Sequence, residues 1–164
     1  MTVEEMTFRA RALAQAHPLS PSAKRFVDHA IAVQRTSQPL PEIGIWAGAA
    51  LVNGYCLRRV EENEAGVQRD PAPDASVDIE ALEVGATAIA ADLRAGDPAP
   101  HLLADRERIF GALDRIIGSE VDRRLEHWRD TVDDHAWSEL EEYITWWVVK
   151  GYALRIAETA GVAP

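Results

Sequence analysis

The chain has 164 residues, 47% of them hydrophobic and 27% charged, with no shift in composition to mark a second fold. It reads as a single helical domain over residues 1–164, long enough to bury about 70% of its unfolded-chain surface, and not as a disordered, collagen-like or disulfide-scaffold chain. The net charge of −10, from 27 acidic and 17 basic side chains, repels phosphate backbones and anionic headgroups, so neither nucleic acid nor a membrane is an expected partner. Lys24, Arg25 and Arg35 make the N-terminal end locally basic, too weak a patch to reverse that expectation.

The single cysteine, Cys56, excludes an intramolecular disulfide and fits a reducing compartment. Glu4 and Glu5 stand where a signal peptide needs basic residues. The longest uncharged stretch, residues 43–57, is shorter than the roughly 20 residues that span a bilayer, and a cytoplasmic location is expected. Arginine greatly outnumbers lysine, which occurs only as Lys24 and Lys150; with abundant alanine, this suggests a high-G+C bacterial coding sequence.

Apolar residues recur at helical spacing almost throughout, and no segment alternates as a strand would. The fold class is therefore all-α, an elongated antiparallel bundle of about six helices. In the first, Thr2 and Glu5 form a capping box and Val3, Met6, Ala10 and Leu13 an apolar stripe that ends near His17. The second opens at Ser20-Pro21, buries Phe26, Val27, Ala30 and Val33, and ends near Ser37. The third runs from Pro41 to Glu64, closed by Gly66, and is apolar around so much of its surface that it belongs at the centre. After a proline-bearing loop, Ser76 caps a fourth helix with core positions Ile79, Leu82, Ala86, Ile89 and Leu93, ending at Gly96. The fifth is expected over residues 103–131, about 43 Å long, with Phe110, Leu113, Ile117, Val121, Leu125, Trp128 and Val132 on one side. Asp133 or Asp134 caps the last, which runs to about Thr159. The third, fifth and sixth helices are expected to form the long centre.

No phosphate-loop, dinucleotide, nucleophile-elbow, Cys-x-x-Cys or His-Glu-x-x-His signature is present. Carboxylates three apart (Glu61/Glu64, Glu80/Glu83, Glu139/Glu142) have the spacing with which helical nucleotide hydrolases hold Mg²⁺. Glu83 flanks an apolar stripe and needs a cationic partner there, an arginine from a neighbouring helix being the simplest. His127, Asp130, Asp133, Asp134, His135 and Glu139 crowd the last turn, where helix capping already accounts for the aspartates. No metal site is assigned.

The sequence Gly-Tyr-x-Leu-Arg-x-x-Glu occurs twice, at residues 54–61 and 151–158, each time late in a long helix. It arises either by duplication of a three-helix unit or by chance. If the two helices face each other, Tyr55, Arg58 and Glu61 meet Tyr152, Arg155 and Glu158, and with Glu83 these are the candidate ligand-binding residues, suited to a carboxylate or phosphate. Intrahelical Arg–Glu pairs at the surface are the plainer account. Glycines inside helices (Gly48, Gly54, Gly85, Gly111, Gly118, Gly151) each cost about 1 kcal/mol relative to alanine, which close helix approach or a ligand against the backbone would offset.

On the last helix, adjacent Trp146 and Trp147 point about 100° apart, and one narrow stripe cannot hide both. One of them, with Tyr143, is expected to face a second copy of the chain. The leading expectation is a protein acting through helix-mediated association, as a homodimer, with no catalysis evident and no cofactor assigned. The alternative is a small-molecule-binding protein or Mg-dependent enzyme using inward-facing Glu and Arg side chains.

Overall fold

The computed structural model describes residues 1–16, 18–67, 69–71 and 77–160. Among them are six α-helices and no strand: α1 (Val3–Ala14), α2 (Pro21–Ser37), α3 (Pro41–Glu64), α4 (Ile79–Ala95), α5 (Arg106–Leu125) and α6 (Asp134–Thr159). None of these helices is long and apolar enough to cross a membrane.

Local chemistry sets most of the ends. Thr2 Oγ1 accepts from the Glu5 N–H at 3.1 Å while Glu5 Oε2 accepts from the Thr2 N–H at 3.0 Å, the reciprocal capping box. Ser20 caps α2 ahead of Pro21, Gly66 follows α3 at φ 71°, and Asp133 Oδ1 accepts from the Ala136 N–H at 2.8 Å to start α6. Asp78 caps α4; the expected cap, Ser76, and the expected end of the first helix, His17, lie outside the described residues.

Helix α5 is shorter than the apolar spacing suggests. At 20 residues it is about 30 Å long, starting at the Asp105 cap and passing into a 3₁₀ turn at Glu126–Trp128. Its buried face is Ile109, Ala112, Leu113, Ile116, Val121 and Leu125. Phe110, expected inside, sits at the rim with the Arg106 guanidinium 5.3 Å from its ring centre. Val33 is likewise 42% exposed: α2 turns Phe26, Val27 and Ala30 inward, and Val33 lines a surface groove.

The centre is α3 and α6, and these two run in the same direction. Arg59, late in α3, donates to the Pro18 carbonyl at 2.7 Å, and Glu158, late in α6, accepts from Ser20 two residues on. The other four helices run against this pair. Helix α5 descends α3 through Arg108–Glu64, Asn53–Glu120 and Trp46–Trp128. Helix α4 descends α6 through Glu83–Lys150 and Arg94–Glu142. Helices α1 and α2 pack on α3. The contacts of α3 and α6 with the other four helices are therefore antiparallel, around a central parallel pair.

Exchanging α1, α2 and α3 for α4, α5 and α6 maps the packing onto itself. Helix α1 lies on α3 as α4 lies on α6, α1 touches α5 as α4 touches α2, and α3 touches α5 as α6 touches α2.

Candidate functional site

At the crossing of α3 and α6 the backbones touch. A Cβ on Gly54 would stand 1.9 Å from the Val148 carbonyl oxygen, and one on Gly151 would stand 2.0 Å from that of Leu51. Each is the other's contact with the helices exchanged. This close approach brings both octads together on the facing surfaces.

The six octad side chains form two matching clusters. The Tyr55 hydroxyl donates to Glu158 Oε1 and the Tyr152 hydroxyl to Glu61 Oε1. Arg58 Nη1 donates to Glu61 Oε1 at 2.7 Å and to the Tyr152 oxygen at 3.1 Å. Arg155 Nη1 repeats this toward Glu158 Oε1 at 3.0 Å and the Tyr55 oxygen at 3.1 Å. Each guanidinium also lies over the partner helix's tyrosine ring, at 5.4 Å for Arg58 on Tyr152 and 5.5 Å for Arg155 on Tyr55. The remaining carboxylate oxygens are used alike. Glu61 Oε2 accepts from the Leu103 and Ala104 N–H groups just before α5, at 2.8 and 2.9 Å. Glu158 Oε2 accepts from Ser20 and Ser22 at the start of α2, at 2.7 and 3.1 Å.

All six are buried, so these are not the surface Arg–Glu pairs that intrahelical spacing usually produces. The structure brings the octad residues together, and the chain itself occupies their carboxylate and hydroxyl oxygens. Their visible work is to lock α3 to α6 and to tether the starts of α2 and α5.

Burial, and then the neighbouring Glu158, pushes the Tyr55 hydroxyl up to about 12. Burial, with Glu61 beside it, raises Tyr152 further. Unfolded tyrosine ionises near about 10. Both phenols thus hold their protons more tightly when folded, so their contribution to stability is whole below about pH 10 and drains away as pH rises toward about 12. These two phenols should contribute a fall of roughly 2–3 kcal/mol per pH unit to the stability measured by urea denaturation across that window. Phenolate absorbance at 295 nm from Tyr55 and Tyr152 should appear only with unfolding, read in a Tyr143→Phe background, and ordinary titration of the two in the folded protein would contradict this account. The buried Cys56 thiol is also pushed up, by burial, to about 12, which makes it an inert core group.

Beside the octads, between α1, the end of α3 and the segment that follows it, lies a cavity of about 440 Å³. Its lining includes Arg9, Arg59, Glu62, Arg69, Asp70 and Arg155. Arg155 Nε donates to Glu62 Oε2 at 2.9 Å and Nη2 to the Arg69 carbonyl at 2.7 Å. Among the described residues, Arg9, Arg59 and Arg69 have no acidic partner. Glu62 Oε1 and Arg69 Nε are buried without a hydrogen bond.

Of the six clustered Tyr, Arg and Glu side chains of the octads only Arg155 reaches this cavity. Arg9, Arg59, Glu62 and Arg69 carry no spacing pattern that singles them out. The one available signal is the doubling at the end of the first octad, Arg58-Arg59 and Glu61-Glu62. One member of each pair faces α6, and the other, turned about 100° around the helix, lines the cavity.

The other candidates are placed as follows. Glu83 pairs with a lysine, Lys150, and borders an apolar groove of about 390 Å³ formed with Phe26, Val33, Ile79, Val84 and Trp147. Members of the other carboxylate pairs turn to separate cations: Glu61 to Arg58, Glu64 to Arg108 and the terminal amine, Glu142 to Arg94. His135 and Glu139 form an exposed pair at 3.1 Å. Among the described residues, no three His, Cys, Asp or Glu side chains are grouped to hold a metal ion. Trp147 is 7% exposed, edge-on to Tyr143 at 6.2 Å. Tyr143 donates to Gln34 Oε1 at 2.9 Å, and Trp146 is partly buried, with Lys150 Nζ 5.7 Å from its ring centre.

Fold and site together define an all-α protein of two matching three-helix halves, with a guanidinium-rich cavity beside their shared axis. No protein-family model, curated protein or solved structure matches this chain.

Proposed function

We propose that this is a small-molecule-binding protein whose ligand presents an anionic group to Arg9, Arg59 and Arg69. The observation that carries the reading is the set of three guanidiniums around one cavity that have no acidic partner among the described residues, in a chain of net charge −10. Like charges gathered this way repel, and an anion relieves the repulsion while accepting paired N–H donors, the geometry in which arginine surpasses lysine. The cavity's size falls within the range of small-ligand sites, about 300–1,000 Å³.

Self-association through α6 has less support from the same geometry, since Trp147 and Tyr143 are engaged within the chain. Trp146 is partly open, and its ring meets the Lys150 ammonium of the same helix.

Thermal denaturation with inorganic phosphate, pyrophosphate and citrate tests the binding reading. An anion held with a Kd of about 0.1 mM adds about 2.7 kcal/mol at about 10 mM. The increase should be lost in Arg59→Ala and Arg69→Ala and kept in Arg106→Ala, whose side chain packs on Phe110 outside the cavity. Stabilisation by none of the three anions would overturn the proposal.

A further inference from the structure

The polar groups left over in this cavity are of two opposite kinds. Glu62 is 4% exposed, with one oxygen on Arg155 and the other without a donor. Arg155 sends four of its five N–H donors elsewhere, Nε to Glu62 Oε2, Nη1 to Glu158 and Tyr55, and Nη2 to the Arg69 carbonyl, and none reaches Oε1. A buried carboxylate oxygen without a donor is uncommon in folded proteins and costly. Arg69 Nε, in the same lining, is a buried donor without an acceptor. Asp70 adds a second carboxylate to the wall that holds Glu62.

Resting on the anion-binding reading above, we infer that the ligand is a zwitterion: a small molecule carrying an ammonium or other cationic N–H group, read by Glu62 and Asp70, beside the phosphate or carboxylate read by the arginines. A simple anion satisfies Arg9, Arg59 and Arg69 and leaves Glu62 Oε1 as it is. It also brings negative charge up to two carboxylates, a cost that a cationic nitrogen removes. The opposed charges of the lining thus select a molecule with both signs.

Calorimetry on the full chain with paired probes separates the two claims. O-phosphoethanolamine and ethyl phosphate differ in the ammonium, as β-alanine and propionate do in the carboxylate series. In at least one series the ammonium-bearing member should bind about tenfold or more tightly, and the series that shows it tells phosphate from carboxylate. Glu62→Gln should remove that advantage without weakening ethyl phosphate or propionate binding. Asp70→Asn, at an exposed position, should reduce the advantage without touching the core. If the anions bind and their ammonium-bearing partners bind no tighter, the zwitterion inference falls and the anion site stands. If no probe of either kind binds, both fall.

Discussion

Gly54→Ala should destabilise the protein by more than about 3 kcal/mol, although the same change in an ordinary helix interior stabilises it by about 1 kcal/mol. The new methyl would lie 1.9 Å from the Val148 carbonyl oxygen and 2.8 Å from the Tyr152 nitrogen. Both obstacles are backbone, so no rotamer change relieves the clash and α3 must move away from α6. That movement pulls Tyr55 from Glu158 and Tyr152 from Glu61, exposing the whole network to the displacement. Gly151→Ala meets the Leu51 carbonyl at 2.0 Å and should cost a similar amount. Gly118, with nothing within 4 Å of a built Cβ, supplies the contrast: Gly118→Ala should raise stability by roughly 0.5–1 kcal/mol. Urea denaturation of the three variants measures this, and a stable, cooperative Gly54→Ala protein would show that the two helices are not in backbone contact.

Where local chemistry decides, the sequence was readable. The Thr2–Glu5 box, Ser20-Pro21, Pro41 and Gly66 place the ends of α1, α2 and α3 because a cap, a ring-fixed φ or a positive φ acts within one turn. The apolar circumference of the third helix correctly marked it as central. The fifth helix misled, because Trp128 and Val132 continue its spacing while the backbone tightens at Glu126–Trp128, where the Trp128 ring meets Trp46 edge-on at 6.3 Å. Nothing in the spacing of Trp128 announces a partner on α3.

The site was half legible for a similar reason. Repetition of Gly-Tyr-x-Leu-Arg-x-x-Glu allows the octads to meet, and glycine at the head of each permits the close approach. Their depth depends on α2 and α5 covering them, which no octad residue encodes. The arginine cavity draws on positions 9, 59 and 69, brought together only by folding. The exchange of helix neighbours and of individual hydrogen bonds between halves supports the three-helix duplication that the octads alone left open. A two-fold axis running along α3 and α6 relates the halves and gives these two helices the same sense.

Removing Arg155 should be the most damaging single change among the charged residues, and the imperfect symmetry of the site says by how much it should exceed the loss of Arg58. Arg58→Ala deprives Glu61 of a cation but leaves it the Tyr152 hydroxyl and the Leu103 and Ala104 N–H groups. Arg155→Ala does the equivalent to Glu158, which keeps Tyr55, Ser20 and Ser22, and in addition leaves Glu62 buried with neither oxygen hydrogen-bonded. Breaking a buried ion pair from one side costs about 3–5 kcal/mol, so Arg155→Ala should reach the upper part of that range and Arg58→Ala the lower part. Adding Glu62→Gln to Arg155→Ala should recover part of the loss, because a neutral amide tolerates that burial better than an unpaired carboxylate. Arg155→Lys should fall between, since an ammonium cannot address Glu62, Glu158 and the Arg69 carbonyl from one planar fork. Arg58→Ala and Arg155→Ala together should cost less than their sum, because both clamps hold the same helix pair and opening one loosens the other. Equal costs for the two single variants, measured by urea denaturation, would mean that Glu62 does not depend on Arg155.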